Sequence, residues 1–354
     1  MLTEVIAVDP ERPDPAAISR AAACLRGGGL VAFPTETVYG LGVHALDRDA
    51  VVSLFEAKGR PANDPLIVHV STLAEAAALV VGFPSPAALL AERFWPGPLT
   101  MIMRRAPRVP TQVSAGLATV AIRVPAHPVA RALLGAAGIP VAAPSANLFS
   151  RPSPTCAQHV LQDLDGRIDM VLDGGPTDVG VESTVLDLTV EPPVILRPGA
   201  ISLERLRTVV PAVTTLVADG GSDDRGAMAS PGLLSKHYAP RAPLTIYRGD
   251  APRVLDELRL AAHRALAAGH RVGILATAED AVSLRGLPVV LADLGREDEV
   301  EHVAGRLYAA LRELDDAGVD CVLTRDMARN DGLWRAIGDR LRRAAAAMVD
   351  VGDG

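Results

Sequence analysis

The sequence predicts an α/β protein in two domains, and three observations lead there. The chain is 354 residues long, more than one ordinary domain holds. From residue 244 onward, short apolar runs alternate with amphipathic segments, the pattern of parallel strands joined by crossover helices. Before residue 210 strands also recur, but helical and hairpin-length connections are mixed, which implies a twisted mixed sheet. The expected organisation is a mixed-sheet domain over 1–210, a linker over 211–240 and a small Rossmann-like parallel-sheet domain over 241–354.

Composition narrows the class. Hydrophobic residues make up 49% and charged ones 22%, so a sizeable core is available; at 3% aromatics it must be largely aliphatic. A net charge of −7 argues against a protein that coats nucleic acid electrostatically. Cys24, Cys156 and Cys321 lie far apart, with neither metal-ligand spacing nor the even count of a disulfide framework, which points to a reducing, cytoplasmic compartment. The N-terminus lacks the basic and apolar regions of a signal peptide. The long uncharged run 132–150 is broken by Gly138, Pro140 and Pro144, so no membrane span is expected. Of 35 cations only Lys58 and Lys236 are lysines, which draws attention to both as places for a compact ammonium.

A helix over 16–26 follows from the spacing of Ile18, Ala22 and Leu25, and Gly27-Gly28-Gly29 closes it. A strand over 30–33 leads into Pro34-Thr-Glu-Thr-Val-Tyr-Gly-Leu-Gly42. Its Gly40-x-Gly42-x-x-Ala45 loosely matches a dinucleotide fingerprint, but a polar Thr-Glu-Thr loop separates strand from glycine, so close backbone approach is the better reading. A helix over 49–57 delivers Lys58-Gly-Arg60, and a strand over 66–70 carries His69. Two cations fixed by Gly59 and Pro61 suit a phosphate or carboxylate; the same pattern also serves as a solvated helix end. A histidine on a strand is commonly a part-buried structural residue. Helices over 72–80 and 85–93 follow, then Trp95 as a packing wedge and a strand over 99–103. The strand 119–124 carries Arg123 on the face opposite Ile122 and Val124, where a buried cation needs a partner or an anionic ligand.

The strand 139–143 runs into a loop, Pro144-Ser-Ala-Asn147 to Pro154, whose prolines stiffen a run holding Ser145, Asn147 and Ser153. Such loops at the ends of buried strands often hold ligand-binding groups, although serines there also cap helices, here one over 154–164. Strands over 170–172, 185–188 and 193–196 complete the domain, with Ser183 and Thr184 opening the second and Arg197-Pro-Gly199 closing the third. The linker ends in Ser230-Pro-Gly232 and Lys236-His-Tyr238-Ala-Pro240, too dense a cluster for an idle tether. Beyond it come strands over 244–247, 272–276, 289–291 and 319–323, alternating with helices over 252–268, 299–317 and 333–348 and a shorter one between. This second sheet has no glycine fingerprint, and its expected role is regulatory or structural.

Five motifs occur in one order. They are Pro34 to Gly42, Lys58-Gly-Arg60 with Pro65-Leu-Ile-Val-His69, Ala121-Ile-Arg123-Val-Pro125, Pro144 to Pro154, and Gly180-Val-Glu-Ser-Thr184 with Leu196-Arg-Pro-Gly199. Together with Ser230-Pro-Gly232 and His237-Tyr-Ala-Pro240, over essentially the whole chain, they resemble the threonylcarbamoyl-AMP synthases in their long form: a YrdC-type domain, a linker and a C-terminal α/β domain. The resemblance implies that ATP, L-threonine and bicarbonate (or CO₂) give threonylcarbamoyl-AMP and pyrophosphate. Downstream tRNA threonylcarbamoyl-transferase proteins would then modify the adenosine beside the anticodon, with weak direct contact to tRNA expected here. It further implies Lys58, Arg60, Ser145 and Asn147 around the ATP phosphates as the catalytic set. Asp64, Thr119, Ser153, Arg197 and Tyr238 would complete the nucleotide site, Asp64 standing where the family commonly has Asn. L-threonine would lie near Thr35, Thr37, His69, Arg123, Ala143 and Ser183, its carboxylate on Arg123. Mg²⁺ would ride on the triphosphate without a dedicated protein site, and the linker would close over the reactants. A carbamate attacking an α-phosphate needs positioning and charge neutralisation, which suits cations and hydroxyls without a Ser-His-Asp set or Cys nucleophile. Two other readings are an RNA-binding module of the same domain type, disfavoured by charge and scarce aromatics, and an enzyme adenylating carbamoyl phosphate, disfavoured by the missing cysteine motifs.

Overall fold

The computed structural model describes residues 2–216, 237–327, 329 and 331–352; Lys236 and most of the expected linker, 217–236, lie outside the described residues. The chain divides into two units. The first is Met1–Phe149, Ser153–Asp178 and Glu182–Leu234; the second is Ser150–Pro152, Val179–Val181 and Ser235–Gly354.

In the first unit the elements run β1 (Glu4–Ala7), α1 (Pro15–Arg26), β2 (Val31–Phe33), β3 (Gly40–His44), α2 (Arg48–Lys58), β4 (Ile67–His69), α3 (Leu73–Ala77), α4 (Ser85–Phe94) and β5 (Leu99–Arg104). They continue with β6 (Thr119–Arg123), α5 (Pro128–Ala137), β7 (Val141–Ala142), α6 (Ala157–Leu164), β8 (Met170–Asp173), β9 (Thr184–Asp187), β10 (Val194–Arg197), α7 (Leu203–Arg207) and β11 (Thr214–Thr215). The strands form one mixed sheet in the order β1-β8-β2-β3-β7-β4-β6-β5-β9-β10-β11. Asp14 caps α1 by accepting from the amides of Ala16 and Ala17, and Pro15 opens its first turn. Successive residues of β2 serve opposite faces. Val31 and Phe33 pack with Ile18, Leu25 and Leu133, whereas Ala32 packs with Leu41, Leu54 and Phe55, so the strand is covered on both sides.

Local features near the site and the sheet edge differ from the sequence expectation. Gly40–His44 is a strand, antiparallel to β2 and β7, where the sequence carries no strand expectation. The close-approach reading explains it: a Cβ on Gly42 would lie 2.8 Å from Phe33 Cε1 and 2.9 Å from Val141 Cγ1. At the other end, β11 pairs parallel with β10, so the first sheet runs on into the segment read as linker. The helix expected from residue 154 begins only at Ala157.

The second unit holds β12 (Leu244–Arg248), α8 (Ala251–Ala267), β13 (Val272–Ala276), α9 (Ala278–Ser283), β14 (Val290–Asp293), α10 (Val300–Asp316), β15 (Cys321–Arg325), α11 (Trp334–Ala344) and β16 (Ala347–Asp350). Every pairing is parallel, in the order β14-β13-β15-β12-β16, as strand–helix alternation predicts. Val254, Leu258, Ala262, Val272, Ile274 and Leu323 form a core on this sheet. The helix expected over 333–348 stops at Ala344, and its last residues form an exposed edge strand on β12; pairing overrides the helical preference of an alanine run. Within this unit Arg151 pairs with Asp315 at 3.1 Å and Arg312 donates to the Pro152 carbonyl at 2.6 Å. Among the described residues no helix is long and apolar enough to cross a membrane.

Candidate active site

Helix α2 delivers the first cations. Asp47 caps it, accepting from the amides of Asp49 and Ala50 at 3.0 and 3.2 Å, and Gly59 ends it at a left-handed φ of 64°. The turn carries both cations inward: Lys58 is 1% and Arg60 7% exposed, which excludes the solvated helix end. The Lys58 ammonium donates to the carbonyls of Ser145 and Asn147. Burial, then the neighbouring Arg60 charge, pushes its pKa well below the ordinary lysine value, opposed by Asp163 and Asp64. Arg60 pairs with Asp64 at 2.9 Å and donates to the Pro65 carbonyl at 2.9 Å. Burial raises the Asp64 carboxyl, while the charges of Arg60, Lys58 and Arg197 draw it down.

The Pro-rich loop is held by backbone bonds to Tyr39 and to Leu41 of β3. Tyr39 N donates to Pro154 O at 2.9 Å, Leu41 N to Pro144 O at 2.8 Å and Ala146 N to Tyr39 O at 2.8 Å. The Ser145 hydroxyl makes no hydrogen bond among the described residues. Asn147 is buried, and its amide nitrogen donates to the Leu148 carbonyl at 2.7 Å. Buried Ser153 donates to the carboxylate of Glu182 at 2.6 Å. Arg197 Nη2 donates to the Ser183 carbonyl at 3.0 Å and its hydroxyl at 3.2 Å, and that hydroxyl lies 2.8 Å from the Thr100 hydroxyl.

A second cluster surrounds Arg123. Its Nε donates to Gly97 O at 3.2 Å, its Nη1 to Thr37 Oγ1 at 2.9 Å, and its Nη2 pairs with Glu36 at 2.7 Å. Thr37 and Thr35 share a hydroxyl contact of 2.8 Å. His69 stands beside Arg123 in the register of β4 and β6; burial, then the Arg123 charge, lowers its pKa to about 3, so the ring is neutral at neutral pH. Buried Ala143 donates its amide to Ile67 O at 2.9 Å. Thr119 is half-buried at the start of β6, opposite Arg104, and its side chain joins neither cluster by a hydrogen bond among the described residues. Tyr238 belongs to the second unit, where it is buried against His237 and Tyr308 at ring distances of 4.1 and 5.5 Å.

Two functional candidates escaped the sequence reading, Glu36 and Glu182. Both stand inside motifs already singled out, and the available signal was physical: a carboxylate flanked by hydroxyl and apolar residues needs a donor. The partner required by Arg123 is supplied in part by the chain itself. A guanidinium carries five N–H groups; Nε and Nη1 donate to Gly97 and Thr37, Nη2 is ion-paired with Glu36, and N–H groups remain for a ligand.

Residues 23–199 match the Sua5/YciO/YrdC family model, described as telomere recombination, and 201–346 match that of the threonylcarbamoyl-AMP synthase C-terminal domain. Threonylcarbamoyl-AMP synthase of Bacillus subtilis (strain 168) is 45% identical over 337 residues, 94% of either chain. That of Pyrococcus abyssi is 42% identical over 342 residues, 96% of this chain and 97% of its own. The crystal structure of P. abyssi Sua5 complexed with L-threonine superposes with a TM-score of 0.91 at 41% identity, covering 99% of this chain and 100% of that one. With likeness of this depth along both units, the chain belongs to the threonylcarbamoyl-AMP synthases, nucleotidyltransferases of tRNA threonylcarbamoyladenosine biosynthesis, in their two-domain form.

Proposed function

We propose that this chain condenses L-threonine, bicarbonate or CO₂, and ATP into threonylcarbamoyl-AMP and pyrophosphate in the cytoplasm, and passes the product to tRNA threonylcarbamoyl-transferase proteins. The observation that carries the site assignment is the buried Lys58 ammonium, fixed by two carbonyls of the Pro-rich loop beside Arg60 and the Ser145 hydroxyl. In this reading Lys58, Arg60 and Arg197 neutralise the triphosphate, Ser145 and Asn147 donate hydrogen bonds to the nucleotide, and Ser153, whose hydroxyl donates to Glu182, lines it with Thr119. Asp64 holds Arg60 in place. A bound polyanion would favour the charged Lys58 ammonium, against the burial that disfavours it.

Arg123 would take the threonine carboxylate on its remaining N–H groups, among Thr35, Thr37, His69, Ala143 and Ser183. The threonine amine attacks the carbon of CO₂ and loses a proton, or that of bicarbonate with loss of water, giving a carbamate. A carbamate oxygen then attacks the α-phosphorus as the bond to pyrophosphate breaks. The protein contributes alignment of two anions and charge neutralisation on the phosphates.

The candidate set is cations and hydroxyls, so Mg²⁺ would arrive on the triphosphate oxygens. EDTA should then abolish pyrophosphate release and excess Mg²⁺ restore it. Deletion of 229–240, the Lys236-His-Tyr238 end of the linker, is expected to lower turnover and release the adenylate; unchanged turnover and retention would remove the linker from the proposal.

The deciding assay is pyrophosphate release from ATP with bicarbonate, with and without L-threonine and with serine as control. Threonine-dependent release that falls about 100-fold or more in Lys58→Ala and Arg123→Ala is the expected result. ATP binding without threonine dependence would overturn it.

A further inference from the structure

We infer that Glu36 is a positioning residue for the threonine carboxylate, acting through Arg123; this rests on the reading above that Arg123 receives that carboxylate. Both Glu36 oxygens are engaged. Oε1 pairs with Arg123 Nη2 at 2.7 Å, and Oε2 accepts from the backbone amide of Ala126 at 3.1 Å. One side chain therefore holds the guanidinium and the chain that leaves β6 just beyond it. Thr37 Oγ1 and Gly97 O fix the other two directions, so the guanidinium plane is held from three sides. Its remaining N–H groups are set before any ligand arrives, which spares the cost of ordering a long side chain on binding.

The chemistry requires a carboxylate there. Glutamine offers one acceptor oxygen, and its amide nitrogen would face either the Arg123 guanidinium or the Ala126 N–H, donor against donor. Among the described residues Arg123 pairs with this carboxylate directly, and His127, at the N-cap of α5, feels its charge. No role in the nucleotide cluster follows, since none of its contacts reaches Lys58, Arg60 or Arg197.

The test is steady-state pyrophosphate release by the full chain, with threonine varied at saturating ATP and ATP varied at saturating threonine. Glu36→Gln is expected to raise the threonine KM about tenfold while the ATP KM and kcat stay within about twofold. Discrimination between threonine and threoninamide should fall in the same variant, because a loosened guanidinium no longer selects a carboxylate geometry. Glu36→Asp, which keeps the charge and both acceptors, should recover part of the threonine KM, and it carries the same comparison if Glu36→Gln does not fold. A threonine KM within about twofold of wild type in the folded variants, or equal rises for both substrates, overturns the inference. Arg123→Ala separates the two claims. If it raises the threonine KM and the Glu36 variants do not, only the role of Glu36 falls; if it leaves that KM unchanged, the carboxylate reading falls with it.

Discussion

Arg197 meets Ser183 because Gly199 lets two backbone segments touch. A Cβ there would lie 2.4 Å from both the Glu182 carbonyl oxygen and the Thr184 amide, distances that only backbone movement could relieve. Gly199→Ala is therefore expected to lower threonine-dependent pyrophosphate release at least about tenfold by displacing Ser183, Glu182 and Arg197 together, measurable beside Lys58→Ala. His69 provides a test by pH. Its pKa is about 3 when folded against 6.5 for an ordinary histidine, so between those values the unfolded chain binds the extra proton. Stability therefore falls as pH drops from 6.5 towards 3, with the loss complete below. Chemical denaturation of His69→Gln across pH 6 to 4 should show a slope shallower than wild type by up to about 1.4 kcal/mol per pH unit. At this scale the sequence was informative about residue types and poor about partners. Arg123 was legible as a cation needing an anion; that Glu36 partly meets the need was not, because 87 positions separate them along the chain by the numbering and no local rule links them.

Helix α2 shows how an element serves the site. Its apolar face (Val51, Leu54, Phe55) anchors it to the core, its cap fixes its start, and Gly59 turns its end inward. Asp47→Ala removes two capping bonds and should cost about 1 kcal/mol in urea denaturation. β3 depends on an absence of side chain. Gly42→Ala would drive a methyl into Phe33 and Val141, with an expected loss of about 1–3 kcal/mol in the same experiment. Helices with one buried face were readable from spacing, since their periodicity is written locally. β3 and β16 were not: glycines in one and exposure of all four residues in the other erase the alternation that marks a strand, and only pairing with neighbours makes them strands.

For the whole molecule, binding of both substrates should appear as stabilisation. ATP with Mg²⁺ and threonine together are expected to raise the Tm by several degrees, each ligand adding on the order of 2–3 kcal/mol near 100 times its Kd. Arg123→Ala should abolish the threonine increment and leave that of ATP. By itself the sequence determined the α/β class, the parallel sheet of the second unit, the order of the motifs and so the family, because periodicity and motif identity are properties of contiguous residues. Tertiary structure alone decided that Lys58 ends on the carbonyls of Ser145 and Asn147, that Arg197 reaches Ser183, and that Glu36 holds Arg123. With 42 carboxylates in the chain, pairing a given cation is a question of which strands lie side by side, and burial then makes that pairing obligatory.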